Sequence, residues 1–156
     1  MKINIVCVGS IKDKFYIEAC EEYLKRLKKF HSVEIIEVAE EKLPKNPSLK
    51  DIEKVKIEET KRIEKNIKGH LVLLDIKGKN YSSEEFCDKL QKTQNIASTI
   101  TFVIGGSYGV SDEMKNKTDD KLSFSKFTFP HQLMRVILLE QLYRATTIAN
   151  NITYHK

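Results

Sequence analysis

Residues 124–145 read FSKFTFPHQLMRVILLEQLYRA and contain the change of pattern that decides the fold. The first six residues alternate phenylalanine with small hydroxyl side chains and one lysine, which predicts an extended, aromatic-rich segment. Pro130 predicts that a helix begins there, because the first helical N–H has no partner within the helix. This helix is apolar on more than the single stripe that a surface helix needs. We therefore expect it to be buried against its own core and against a second subunit.

The composition predicts one domain over residues 1–156. Hydrophobic residues make up 40% of the chain and charged residues 31%, which is typical of a globular protein. No apolar run approaches the roughly 20 residues of a membrane span, and the apolar stretch 1–9 is too short for a signal peptide. We expect a cytoplasmic protein with no membrane partner, whose first residues form a buried strand.

The cysteines and histidines give no sign of a metal site. Cys7, Cys20 and Cys87 are odd in number and form no CxxC pair, so we expect reduced core thiols. The four histidines are dispersed, and no Ser-His-Asp order is readable. The net charge of +5 permits a nucleic-acid partner. It does not require one, because lysines interleaved with glutamates over 53–62 are typical of a solvated helix face.

Strand-like and helix-like segments alternate along the chain. Residues 40–49 are expected to form a loop and residues 77–80 a turn. Apolar runs predict strands at 1–9, 33–38, 71–76 and 99–104, and helical spacing predicts helices at 14–29, 51–67 and from the Ser82/Glu85 capping box to about residue 95. Strands that are apolar on both faces and alternate with helices predict an α/β fold, with a parallel sheet covered by helices on both faces.

Three segments are expected at the carboxyl ends of the strands, where open parallel sheets bind their ligands. They are residues 74–79, 104–109 and 124–129. Adjacent glycines at 105 and 106 let the backbone approach a ligand closely, although the pattern is neither GxGxxG nor a P-loop. The aromatic and hydroxyl side chains of 124–129 suit a flat heterocycle better than a triphosphate. A buried amphipathic strand explains the same pattern equally well.

The last predicted helix separates its polar residues. His131 and Arg135 are four residues apart and share a face, whereas Arg135 and Arg144 lie on opposite faces at about 100° per residue. Glu140 and Arg144 form either a surface pair or part of a site. The polar tail 150–156 is either a frayed terminus or part of a site.

These same residues resemble the RlmH family of the SPOUT superfamily, and the resemblance spans the whole chain. The matching motifs are MKIxIVxVG at 1–9, IGGSxG at 104–109, LSFSKxTFPH at 122–131, EQxYRA at 140–145 and YHK at 154–156. The resemblance implies a C-terminal trefoil knot, a homodimer and methyl transfer from S-adenosyl-L-methionine to N3 of a pseudouridine in 23S rRNA. With no separate RNA-binding domain, we expect the assembled ribosome to be the substrate.

The resemblance also implies site residues. The cofactor contacts would be Leu74, Gly105, Phe124, Ser125, Lys126, Phe127, Thr128 and Phe129. The polar groups available to position or deprotonate the base are Arg144, His131, Tyr154 and His155. Lys25, Arg26, Lys28 and Lys29 either extend an RNA surface or form a solvated helix end. Two alternatives remain open: a SPOUT-type methyltransferase acting on another RNA such as tRNA, and a non-catalytic ribosome-binding module.

Overall fold

The computed structural model describes residues 1–156. Strands and helices alternate in it, as the apolar runs and helical segments do in the sequence. The elements are β1 (Lys2–Val8), α1 (Lys14–Leu27), β2 (Ser32–Val38), α2 (Leu49–Glu64), β3 (His70–Lys79), α3 (Ser83–Ile96), β4 (Thr99–Ile104), α4 (Asp112–Asn116), β5 (Lys121–Leu122) and α5 (His131–Ala149). The five strands form one sheet in the order β2-β1-β4-β3-β5, and every pairing is parallel. The predicted α/β architecture is confirmed.

Each face of the sheet has its own hydrophobic core, because alternate residues of a strand point to opposite faces. Ile3, Ile5 and Cys7 of β1 belong to the cluster that α1, α3 and α5 cover. Val6 and Val8 belong to the cluster that Ile63 of α2 and Met114 of α4 complete. Helices therefore cover both faces, as predicted. All three cysteines are buried and free.

Helix α2 begins at Leu49, two residues earlier than predicted. The Ser48 hydroxyl accepts the Asp51 N–H at 3.2 Å, and the Asp51 carboxylate accepts the Ser48 N–H at 2.8 Å. This is a capping box with aspartate in place of the usual glutamate. Helix α3 is capped by Ser82 and Glu85, as the sequence indicates.

The turn predicted at 77–80 is wrong, because β3 continues to Lys79. Lys79 pairs with Leu122 of β5, after an irregularity in the ladder. Gly78 permits this close approach, since a Cβ there would lie 2.7 Å from the carbonyl carbon of Lys121. Helix α4 and strand β5, of five and two residues, were not predicted.

Helix α5 begins at His131, one residue after the predicted start, and Pro130 is its N-cap. Its buried residues include Arg135, Leu138, Leu139 and Leu142. None of the helices is both long enough and apolar enough to cross a membrane. The knot stays a prediction, and so does the assignment of residues 1–156 to one domain.

Candidate functional site

A cavity of about 330 Å³ opens at the carboxyl edge of the sheet, where β3, β4 and β5 end. Its walls come from residues 74–76 of β3, the turn after β4, the segment 122–129 and the first turn of α5. Seven of the eight predicted cofactor residues line it: Leu74, Gly105, Phe124, Ser125, Phe127, Thr128 and Phe129. Lys126 does not. The three segments predicted from the sequence thus meet at one cavity. The cofactor contacts themselves stay predictions.

The glycine turn 105–109 forms one wall of the cavity. The Gly109 N–H donates to the Gly106 carbonyl at 2.9 Å, and Gly109 has a φ of +77°, in the region that favours glycine. A Cβ on Gly105 would lie 3.0 Å from the Gly109 carbonyl carbon and 3.0 Å from Cγ1 of Val110. Because the turn is so tight, position 105 can offer a ligand only backbone.

The aromatic segment 124–129 forms the opposite wall and belongs to no strand. Phe124 packs edge-on against Phe86, with ring centroids 6.4 Å apart, whereas the Phe127 side chain is 79% exposed. The Ser125 hydroxyl accepts the Phe127 N–H at 3.0 Å and bends the backbone between them. The interpretation as a buried amphipathic strand is therefore wrong, because the segment turns its central ring outward beside the cavity.

The lining chemistry fits S-adenosyl-L-methionine. Aromatic rings suit an adenine, and the cavity volume lies near the lower end of the range of small-ligand sites, roughly 300–1,000 Å³. The acidic and basic side chains of the lining are Asp75, Lys115 and His131. A triphosphate would need more cations than this. The residues present thus suit a phosphate-free adenosyl group.

His131 is the one predicted catalytic residue that lines this cavity. Its Nε2 lies 3.2 Å from the Ser107 hydroxyl, across the mouth of the glycine turn. Ser107 stands within the recognised IGGSxG motif, but nothing in the sequence pairs it with His131. Arg135, on the same face, is only 1% exposed and binds Glu37 at 2.5 Å and the Gly9 carbonyl at 2.6 Å. Arg135 therefore anchors α5 to the ends of β1 and β2.

The other three catalytic candidates lie at the far end of α5, around one carboxylate. Glu140 accepts from Arg144 Nε at 3.0 Å and from the Tyr154 hydroxyl at 3.1 Å. His155 lies 3.3 Å from Arg144 Nη1 and 2.6 Å from Glu84 of α3. We call Glu140, Arg144, Tyr154 and His155 the Glu140 cluster. The Glu140–Arg144 pair is thus one part of a larger network.

The tail packs against its own helix instead of fraying. Asn151 has a φ of +53°, and the Ile152 N–H donates to the Thr147 carbonyl at 2.9 Å. A left-handed residue after a helix reverses the chain, and asparagine tolerates this conformation. Tyr154 is thereby brought against Tyr143, with centroids 4.9 Å apart.

The electrostatics of the Glu140 cluster limit what its members can do. Burial raises the pKa of Tyr154, and the neighbouring Tyr23 and Glu140 add to the rise, so the phenol stays neutral at physiological pH. The hydrogen bonds from Arg144 to Glu140 raise the pKa of Arg144, which remains a cation. Tyr154 can donate a hydrogen bond, but it is not a phenolate base.

The single chain does not bring the four catalytic candidates together. His131 stands at the first residue of α5, and Arg144 follows about 20 Å further along the helix axis at 1.5 Å per residue. The cavity and the Glu140 cluster are therefore separate sites within one chain.

The fold and the cavity define a class of protein: an α/β protein whose parallel sheet has an aromatic-lined cavity of small-ligand size at its carboxyl edge. The family model described as "Predicted SPOUT methyltransferase" matches residues 1–155. The chain belongs to the SPOUT methyltransferase family. No group of three or more histidine, cysteine, aspartate or glutamate side chains is arranged to hold a metal ion.

Named relatives match the whole chain. A protein of Clostridium botulinum (strain Kyoto / Type A2), named Ribosomal RNA large subunit methyltransferase H, is 50% identical over the full length of both chains. A protein of the same name from Fusobacterium nucleatum subsp. nucleatum is 48% identical, again over the full length of both. The resemblance carried by residues 104–109, 122–131 and 154–156 is confirmed.

Proposed function

We propose that this chain methylates N3 of a pseudouridine in 23S rRNA, with S-adenosyl-L-methionine as donor and the assembled ribosome as substrate. The observation that carries the proposal is the convergence of the glycine turn and the 124–129 segment on one cavity. Relatives about half identical over their full length carry the name of a large-subunit rRNA methyltransferase, which supports the choice of substrate.

The cofactor would lie between the two walls. Phe124 and Phe129 would hold the adenine, the backbone of Gly105 would approach it from the other side, and Leu74, Ser125, Phe127 and Thr128 would complete the contacts. Lys126 stands outside the cavity wall, so we assign it the weakest contribution of the eight. The cofactor would supply an electrophilic methyl group, and this chain's task is to align the target nitrogen with it.

The target N3–H is a weak acid, so groups that stabilise the anion or accept the proton assist its loss. Arg144 is a permanent cation and suits the first task. Tyr154 stays neutral and suits hydrogen bonding to the base. His155 and His131 each have a ring nitrogen that accepts a proton when neutral, so they are the candidate acceptors.

The active enzyme is proposed to be a homodimer. The cavity of one protomer lacks Arg144, which lies about 20 Å from His131 along α5, and also Tyr154 and His155, which pack beside Arg144. A two-fold dimer that packs α5 against α5 would bring the Glu140 cluster of one chain to the cavity of the other. Leu133, Val136 and Ile137 of α5 remain partly exposed in one chain and would pack in that interface. Sedimentation should give a dimer at micromolar concentration, and a monomer would contradict the assembly.

The test of the substrate is methyl transfer from labelled S-adenosyl-L-methionine to ribosomes that lack the modification, followed by mapping of the label. The expected result is label at one pseudouridine of 23S rRNA in ribosomal particles, with little on naked rRNA. Label in tRNA would indicate the other SPOUT-type activity. Cofactor binding without transfer to any RNA would indicate a non-catalytic ribosome-binding module.

A further inference from the structure

Helix α2 is charged and largely exposed, yet it buries a carboxylate. Glu59 is 3% exposed and Thr60 is 4% exposed. Buried carboxylates are rare unless an ion pair compensates them, because leaving water is costly for a charge. Glu59 forms no ion pair: Arg62, the basic residue one turn along α2, binds Glu41 and the Ala39 carbonyl instead. Its one hydrogen bond is the Glu41 N–H, accepted by Oε1 at 3.0 Å.

The second carboxylate oxygen of Glu59 lies against the glycine turn. A Cβ built on Gly106 would come 2.4 Å from Glu59 Oε2, so the carboxylate would have to move to admit it. The carboxylate therefore occupies the space that a side chain at 106 would need. Gly106 lines the cavity, whereas Glu59 does not. Glu59 reaches the cavity only through the backbone of the turn.

The next residue of α2 holds the other end of the same segment. The Thr60 hydroxyl accepts the Ser111 N–H at 3.0 Å, and Ser111 in turn caps α4 by accepting the Met114 N–H at 3.3 Å. Glu59 and Thr60 thus contact the segment 106–111 at both ends. A shift of α2 would move the whole wall of the cavity.

We infer that Glu59 is a positioning residue for the cofactor: its buried carboxylate, supported by Thr60, sets the shape of the glycine turn. This inference rests on the proposed function for the identity of the ligand. The contacts between α2 and the turn are independent of it. The groups that face Glu59 are Glu40 and Glu41 of the loop after β2 and Arg62 of α2.

The test is a double-mutant cycle on Glu59 and Gly106, read by calorimetric binding of S-adenosylhomocysteine, the demethylated cofactor. Glu59→Ala should weaken binding about tenfold, a change of about 1.4 kcal/mol. Gly106→Ala should weaken it as well, because its methyl group meets the carboxylate. In the double variant the alanine at 59 removes that clash, so binding should be no weaker than in the worse single variant. If the loss of affinity in the double variant equals the product of the losses in the two single variants, the inference is overturned.

The matched control is Glu58→Gln, which removes a neighbouring carboxylate that is bound to Lys61 on the helix surface. It should bind S-adenosylhomocysteine within about twofold of the parent, as surface changes generally do. Unchanged binding by Glu59→Ala would contradict the inference. If the parent itself fails to bind S-adenosylhomocysteine, the proposed function fails instead.

A second measurement covers the case in which Glu59→Ala fails to fold. Glu59→Gln keeps the side-chain volume and an oxygen that can accept the Glu41 N–H. In the free protein, its amide resonances of Gly105, Gly106 and Gly109 should shift, while those of Gly69 and Gly78 stay in place. Unmoved resonances at Gly105, Gly106 and Gly109 would show that Glu59 does not set the turn.

Discussion

The two ends of α5 differ in what surrounds them. At the N-terminal end, Arg135 binds strand ends, His131 meets the glycine turn, and the Gln132 side-chain oxygen accepts the Lys12 N–H at 3.0 Å. At the C-terminal end, the Glu140 cluster binds mainly itself and the tail. The first end is part of a cavity. The second has reactive polar groups, and none of the four residues of the Glu140 cluster lines that cavity.

The difference between the two ends of α5 shows that neither end alone has every group that methyl transfer needs. A cavity with aromatic walls can hold a cofactor, but it has no guanidinium to stabilise a developing anion, since its basic side chains are Lys115 and His131. The Glu140 cluster has such a cation in Arg144 and no place for a cofactor. Each end has what the other lacks, which is the reason for proposing that two chains share each reaction site.

The largest effect is expected at the cavity end. Gly105→Val should abolish S-adenosyl-L-methionine binding, because even a Cβ there would lie 3.0 Å from two neighbouring atoms and the γ-methyl groups would extend further. Calorimetry measures the affinity, circular dichroism checks that the fold is retained, and Gly105→Ala should be intermediate. Unchanged affinity in the valine variant would show that the cofactor binds elsewhere.

Mixed dimers test the division between the two ends directly. Neither Gly105→Val nor a chain lacking residues 153–156 should transfer methyl groups alone. Mixed together, they form dimers with one intact cavity and one intact tail on opposite chains. Activity restored by mixing would support catalysis across the interface. Absence of activity in verified mixed dimers would mean that each chain uses its own tail.

The second effect concerns the Glu140 cluster alone. Deleting residues 153–156, or changing Arg144→Ala, should lower single-turnover methyl transfer at least ~100-fold, the low end of what a positioned acid–base group contributes. Cofactor affinity and dimerisation should stay near those of the parent, because the cluster does not line the cavity. Full activity in the truncated chain would reduce the tail to a structural end.

The third effect compares the two arginines as structural elements. Arg135→Met should lower the free energy of unfolding by about 3 kcal/mol, because it leaves Glu37 and two strand-end carbonyls without their buried partner. Arg144→Met should lower it by less than about 1 kcal/mol, since the Arg144–Glu140 pair is partly exposed to solvent. Urea unfolding of both variants gives the comparison. Equal losses would contradict it.

The sequence predicted well those features that depend on local pattern. Strand β4 has the predicted bounds, because its apolar run is nearly continuous over 99–104. The Ser82/Glu85 box was readable for the same reason: its partners are three residues apart. The cavity loops were readable because parallel strands place their carboxyl ends at one edge.

Features that depend on contacts distant in sequence were not predictable. Nothing in the charged pattern of α2 sets Glu59 apart from Glu58, because its burial comes from Gly106 and from the loop after β2. Strand β5 is too short for any periodicity to appear. Asn151 was a readable signal for the return of the tail, but the docking of His155 on Glu84 depends on where α3 lies.

The smallest effect is a dependence of stability on pH that belongs to the cavity end. Burial raises the pKa of Glu59 above its ordinary value of 4.5, so between those two values the folded chain binds more protons than the unfolded chain. The contribution of Glu59 to stability therefore falls as the pH rises through this window. At the Glu140 cluster, Arg144 and Tyr154 have raised pKa values and do not titrate there.

Glu59→Gln should remove this dependence and unfold less readily than the parent at pH 7, by about 1 kcal/mol or less, with the difference vanishing near pH 4. Burial lowers the pKa of His31, which gives stability that is lost as the pH falls below 6.5. The contribution of His31 is the same in the parent and in the variant, so it cancels in the difference between their free energies of unfolding. Thermal unfolding from pH 4 to pH 8 measures that difference.

We expect the Glu59→Gln variant to be more stable than the parent and yet to bind S-adenosylhomocysteine more weakly, because the buried charge costs stability while its position shapes the turn. If the stability of the parent and that of Glu59→Gln change with pH in the same way, Glu59 has the same protonation state in the folded and unfolded chain.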